Sequence, residues 1–220
     1  MSRAQIRSRE RVRDLAEVYT DEREVNAMLD LVPDMFPSAD DPGNTDRLFL
    51  EPACGHGNFL VEILSRKLRY VTPKLYGREE IFEHRLLRCL ASIYGIDICD
   101  DNVKEARERM TNVVAVHVGG CLGDAEPSPG FGDAVAAILS TNIIRGDTLR
   151  AAAEIELVEY RLSSDGTFLR RWSYPLDPCA AEPNLFSLAT QHEDAVPVHY
   201  AKLAFETGPT MADVGDREAA

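Results

Sequence analysis

"LFLEPACGHGNFLVEIL", residues 48–64, decides how this chain is read. A short apolar run, continuous as a central parallel strand is, ends at the acid Glu51. Gly55 and Gly57 follow, and then Phe59, Leu60, Ile63 and Leu64 recur at helical spacing. Strand, glycine turn and helix in that order make a loop that a ligand can approach closely, because no Cβ stands in the way. The helix behind the turn presents free N–H groups. An acid beside such a loop repels a pyrophosphate and suits a ligand with an ammonium group.

Working outward, the pattern repeats. "IYGIDIC" (93–99) is a second apolar strand carrying an acid, Asp97. "AVAAILSTNII" (134–144) reads as a helix running into a third strand, with Asp147 in the "RGDTL" that follows. Helices are expected over 58–71, 78–92 and 101–118, with "TPKLYG" as a break and 119–133 as a Gly- and Pro-rich loop. This alternation predicts an α/β fold, a Rossmann-like, doubly wound, mainly parallel sheet. "EIELVEYRL" reads as a fourth strand and "TFLRRWSYPL" as its hairpin partner. Ahead of the sheet, 10–32 reads as a helix or helix pair, with Thr20, Asp21 and Glu22 marking a helix start. The expected organisation is an N-terminal helical segment (1–46), a sheet domain (47–177) and a weakly patterned segment (178–220) ending in a frayed tail.

In such sheets ligands sit beyond the carboxyl ends of the strands, where both acids and the glycine turn fall. A carboxylate at Asp97 can accept ribose hydroxyls, and Ile98 can pack on a flat base. Asp147 can accept an exocyclic amine of adenine. Ammonium, ribose and adenine without a phosphate binder describe S-adenosylmethionine.

"EPACGHGNFL", "YGIDI" and "NIIRGDTL" resemble three successive cofactor motifs of the amino-group DNA methyltransferases, in particular the N6-adenine methylase subunits of restriction–modification systems. "EVYTDEREVNAMLDL" (17–31) is similar to the family's N-terminal motif, with Asp21 where a proline is usual. The resemblance spans roughly residues 10 to 150. It implies the class I methyltransferase type of sheet. It also implies that Tyr19 and Thr20 line the methionine end, that Glu51, Ala53, Gly55 and Gly57 cradle the methionine, that Asp97 and Ile98 take ribose and adenine, and that Asp147, with Thr148 and Leu149, closes on the adenine. The glycine turn stands farther from Asp97 than the roughly 20 residues usual in dinucleotide folds, and the helix at 78–92 fills the excess.

The family's acceptor chemistry uses an Asn-Pro-Pro-Tyr type tetrapeptide. An exocyclic amine is a poor nucleophile, so carbonyl groups must accept its hydrogens while an aromatic stacks on the flipped base. No Asn here is followed by Pro, so no catalytic residue is assigned. "SYPLDP" (173–178) lacks the amide, and "EPNLF" (182–186) has the order wrong. Three readings stay open: a methylase subunit whose target-binding part lies in another polypeptide, a non-catalytic accessory module, or a methyltransferase acting on something other than DNA.

A net charge of −13 opposes a broad DNA footprint by this chain alone. Arg3, Arg7, Arg9, Arg11 and Arg13, and again Arg161, Arg170 and Arg171, are expected on solvated faces. The five cysteines are odd in number and form no Cys-x-x-Cys pair, which speaks against disulfides and zinc. His56 is expected as a loop residue beside the ligand and His84 as a solvated helix residue; His117, His192 and His199 lack metal-ligand spacing, so no metal is expected. Trp172 is expected in the core or against a partner. No apolar run reaches membrane-span length and the N-terminus is charged, so a cytoplasmic location is expected.

Overall fold

The computed structural model describes residues 20–77, 79–177 and 190–205. The first described helix, α1 (Glu22–Leu29), starts at Asp21, whose carboxylate accepts from the Arg23 amide at 3.0 Å. Glu22 and Glu24 fill its first turn, where negative charge meets the positive end of the helix dipole. Val25 and Leu29, one turn apart, are its buried face. The rest of the helical reading of 10–32 falls before residue 20 and lies outside the described residues, apart from the few residues after Leu29, where the helix stops ahead of Pro33.

Three short strands, β1 (Phe49–Glu51), β2 (Ile93–Asp97) and β3 (Ile143–Arg145), form a parallel sheet in the order β1-β2-β3. Phe49 lies opposite Ile93, and Gly95 opposite Ile143, so the three carboxyl ends share one rim. Between β1 and β2 run α2 (Asn58–Leu68), the single turn α3 (Pro73–Tyr76) and α4 (Glu79–Ala91). The "TPKLYG" break thus holds one helical turn, opened by Pro73 and by Thr72, whose hydroxyl accepts from the Leu75 amide.

Between β2 and β3 run α5 (Asp100–Leu122) and α6 (Phe131–Asn142). Helix α5 passes through Gly119 and Gly120, beyond the expected end at 118, and stops at Gly123, whose φ of 64° breaks the ladder. Burial of Val114 and Val118 outweighs the ~1 kcal/mol that each glycine costs a helix.

The chain then leaves the parallel sheet. Strands β4 (Leu157–Leu162), β5 (Thr167–Ser173), β6 (Thr190–Glu193) and β7 (Val198–His199) make a separate antiparallel sheet. The expected fourth strand is therefore a strand, and its hairpin partner is β5, but it does not extend the parallel sheet. A turn at 163–166 too short for a crossover forces antiparallel pairing, and the Tyr94 hydroxyl donates to the Val158 carbonyl at 2.9 Å, holding β4 against the parallel sheet's face.

The two faces of the parallel sheet are covered differently. Phe49, Ile93 and Ile143 pack under α2, α4, α5 and α6 in one large apolar cluster. Tyr94 and Ile96, with Leu50 and Ile144, pack against Ile155, Leu157 and Leu176. Helices on one face correct the doubly wound expectation for the described residues. The cause is handedness: parallel crossovers are right-handed, and two that step in the same direction place their helices on the same side. No described helix is long and apolar enough to cross a membrane.

Candidate ligand site at the carboxyl edge of the parallel sheet

The glycine turn is held from three sides. The Cys54 amide donates to the Ile96 carbonyl at 2.9 Å, which ties the turn to β2. Gly55 and Gly57 have φ of 52° and 87°, the left-handed region that glycine enters without strain. A Cβ on Gly57 would stand 3.0 Å from the Ala106 Cβ, so this glycine lets α5 press on the turn. Gly95 plays the same part from β2: a Cβ there would lie 2.6 Å from Leu60 Cδ1 and 3.2 Å from Cys54 Sγ.

Asp97 closes the arrangement. Its Oδ2 accepts from the Gly55 amide at 2.9 Å, and its Oδ1 accepts from the Cys99 amide at 2.8 Å and from Asn102 Nδ2 at 3.2 Å. A carboxylate offers about four lone-pair sites, and three are filled by these donors. As placed, Asp97 has room for one further donor; a second requires the Gly55 amide to let go.

Glu51 ends β1 half-buried, its Oε1 accepting from the Ala53 amide at 3.3 Å; Ala53 itself is exposed. Thr148, just past β3, donates its hydroxyl to the Pro52 carbonyl at 3.1 Å, so the loop after β3 closes on the loop after β1. Asp147 accepts from the Leu149 and Arg150 amides at 3.1 and 3.0 Å, which makes it a turn cap. Ile98 and Leu149 are 46% and 95% exposed. Thr20 reaches the site through its backbone, its carbonyl accepting from Asn58 Nδ2 at 2.8 Å. Tyr19 lies outside the described residues.

The structure thus gathers Glu51, Ala53, Gly55, Gly57, Asp97, Ile98, Asp147 and Thr148 along one rim, with the turn and Asp97 in direct contact. It also adds residues that the sequence reading did not single out. Arg109 Nη1 lies 2.7 Å from His56 Nδ1, 2.7 Å from the His56 carbonyl and 2.9 Å from Asn58 Oδ1, clamping the turn from α5. Asn102, Ala106 and Arg109 follow one another at helical spacing; that stripe was the signal available. Burial, and then the carboxylates of Asp97 and Glu51, push the Cys54 thiol up to about 12, so it is a neutral packing group here and no nucleophile.

The charged groups along this rim are the carboxylates of Glu51, Asp97 and Asp147, while the amides of Ala53, Cys54, Gly55 and Gly57 are bonded within the protein. Arg109 is turned inward onto the loop, and Arg145 Nε donates to the Ile98 carbonyl. Such carboxylates suit a ligand that bears ammonium or hydroxyl groups. A separate cleft of about 210 Å³ lies at the opposite, amino edge of the sheet, between Leu48, Ser92 and β4.

Other side chains depart from expectation. His84 is buried, its Nδ1 accepting from the Gly166 amide at 3.0 Å and its ring set edge-on to Phe168, because α4 is enclosed on most sides. Arg170 is buried in an ion pair with Asp194 at 2.9 Å, and Arg161 and Arg171 face Glu193 and Glu159 across the strands. These three arginines are therefore no free basic patch. Trp172 lies under the Arg170 guanidinium and beside His192. Among the described residues no cluster of three or more His, Cys, Asp or Glu is placed to hold a metal.

Comparison with family models, curated proteins and solved structures finds no match to this chain.

Proposed function

We propose that this chain carries the S-adenosylmethionine-binding part of a methyltransferase of the N6-adenine DNA methylase type, working within a restriction–modification system. The observation that carries the reading is the contact of Asp97 with Gly55 at 2.9 Å. It couples a glycine turn after the first strand to an acid ending the second, and the Thr148–Pro52 bond brings in the end of the third. The finer fold assignment, a class I methyltransferase sheet, rests on the same strand order and on the motif resemblance.

In this reading Glu51 faces the ligand's ammonium and Asp97 one ribose hydroxyl. Ile98 and Leu149 offer apolar surface to the base. Arg109 and Asn58 hold the turn beside Asp97. When bound, the cofactor supplies an electrophilic methyl group; this chain's contribution is to hold and orient it.

A second reading, a non-catalytic accessory module, is favoured by one observation. Among the described residues no strand follows β3 in the parallel sheet, so no loop of this rim presents the carbonyl pair that an amine acceptor needs. Calorimetry with S-adenosylmethionine tests the shared premise: saturable binding is expected, and its absence removes both readings. Labelled-methyl transfer to duplex DNA, by the chain alone and with the proteins encoded beside it, separates them. Transfer supports the methyltransferase; binding without transfer in every mixture supports the accessory module.

A further inference from the structure

Arg109 reaches from α5 into the glycine turn with one nitrogen. Its Nη1 lies 2.7 Å from His56 Nδ1, 2.7 Å from the His56 carbonyl and 2.9 Å from Asn58 Oδ1. A guanidinium carries donors and no acceptor, so each of these three atoms must accept. His56 Nδ1 therefore carries no proton, and the ring is neutral with its proton on Nε2. An imidazolium would set N–H against N–H and cation against cation at this separation.

The ring has little room to turn away. His56 is 5% exposed and stands between Gly55 and Gly57, both left-handed. Gly55 is bonded to Asp97, and Gly57 is pressed by Ala106 from the helix that carries Arg109. Ala106 and Arg109 are three residues apart and so share one face of α5. Asn58, whose oxygen Arg109 holds, gives its amide to the Thr20 carbonyl at 2.8 Å. One guanidinium thus joins α5, the turn and the approach to α1.

Among the described residues, the charges around the ring divide. Asp97 and Glu51 lie on the sheet side of the turn, bonded to the amides of Gly55 and Ala53. Glu105 stands one helical turn before Arg109, and Asp21 and Glu22 open α1 beside Thr20. From α2 the neutral Asn58 reaches the clamp, while Glu62, one turn further on, is paired with Arg66. The carboxylates favour a cation at His56. Arg109, in direct contact, opposes it, and the nearest charge weighs most.

We propose that Arg109 is the positioning residue of the ligand site and acts only through neutral His56: protonation of His56 opens the clamp, frees the glycine turn and releases the ligand. The site is then formed at neutral and alkaline pH and is lost as pH falls through the His56 titration. The identity of the ligand rests on the function proposed above; the clamp does not.

Two measurements on the full chain test this. Nitrogen-15 NMR of the ligand-free protein reads the ring itself. His56 is expected as the Nε2–H tautomer, titrating below the ~6.5 of an unperturbed histidine, with the Gly55 and Gly57 amide signals moving at the same midpoint. Arg109→Met is expected to raise that midpoint toward ~6.5. Calorimetry with S-adenosylmethionine at pH 7.5 and pH 5 reads the site. For a midpoint near 6, about one chain in eleven is competent at pH 5, and affinity is expected to fall about tenfold. His56→Asn keeps an acceptor oxygen in the place of Nδ1 and does not titrate, so its affinity is expected to be the same at both pH values. A proton on Nδ1 at pH 7.5, turn signals that ignore the His56 titration, or a His56→Asn variant as pH-sensitive as wild type overturns the proposal. If S-adenosylmethionine binds at neither pH while His56 and the turn titrate together, the clamp stands and the cofactor reading falls.

Discussion

Replacing Asp97 by Asn tests the centre of the site with the smallest change of shape. The carboxylate accepts three hydrogen bonds, from Gly55, Cys99 and Asn102. An amide keeps one oxygen and turns an N–H toward whichever donor loses its acceptor. A hydrogen bond to a charged group contributes about 1.5–3 kcal/mol, and neutral bonds about half of that. Losing one bond and weakening two by half comes to about 3–6 kcal/mol. Water reaches this half-exposed rim and replaces part of the loss, leaving about 2 kcal/mol. For a chain of this length that is a fall in Tm of about 4–8 °C. Urea unfolding at pH 7, followed by circular dichroism, measures it. Calorimetry with S-adenosylmethionine on the still-folded variant is expected to show affinity at least ~10-fold lower, one charged bond's worth. A variant within about 0.5 kcal/mol of wild type refutes the claim that the acid holds the turn. A destabilised variant with unchanged cofactor affinity refutes the claim that Asp97 also receives ligand.

Three further outcomes are expected. Gly57→Ala combines a left-handed φ with a Cβ at 3.0 Å from Ala106, and calorimetric unfolding is expected to show a loss of about 1–3 kcal/mol together with weaker cofactor binding. Burial draws the Lys67 ammonium down to about 8 while the Thr45 carbonyl and Ser92 Oγ accept from it at 2.8 and 2.7 Å. The unfolded chain holds that proton to its ordinary 10.5, so stability is expected to rise as pH climbs from about 8 toward 10, and Lys67→Met is expected to flatten that slope in urea titrations across the interval. Burial, then the charge of Arg88, lowers His84 to about 4, so folding leaves it neutral where the unfolded chain protonates; stability is expected to fall as pH drops from about 6.5 to 4, and His84→Gln to remove up to about 3 kcal/mol of that sensitivity, read as the difference between the two pH profiles.

What the sequence disclosed is what local physics determines. The glycine turn, the Asp21 helix start and the acids closing β2 and following β3 are set by residues within a few positions of each other. What it concealed is non-local. Period-2 alternation in 155–162 identifies a strand but not its sheet, and the membership of β4 was decided by a short turn and by Tyr94, distant in sequence. Gly119 and Gly120 marked a loop by composition, yet packing of Val114 and Val118 carried α5 through them. Arg170 looked solvated because its partner, Asp194, lies across a strand pair. Asp97 was expected to grip two hydroxyls because nothing in its neighbourhood announces that the Gly55 amide already occupies one oxygen. His84 had a weak signal: Leu87 and Ala91 share its helix face.

Handedness links these observations to function. Parallel crossovers are right-handed as a rule, and both crossovers between the described parallel strands step away from β1 in the same direction. The loops after all three strands therefore converge on one rim, enough to bring a glycine turn, the carboxylate of Asp97 and the Thr148 hydroxyl together. The same rule leaves the rim one-sided, because a crevice needs a neighbouring strand whose loop leaves toward the other face. Under the proposed function the holding of the cofactor and the approach of the acceptor are thus physically separable: the first requires β1, β2 and β3 alone, and the second requires something on the far side of β1. A chain that binds S-adenosylmethionine tightly, transfers nothing alone and gains transfer only with a second protein is what this separation entails. Full transfer by the chain alone would show that the acceptor approaches from another side and that strand order sets no such limit.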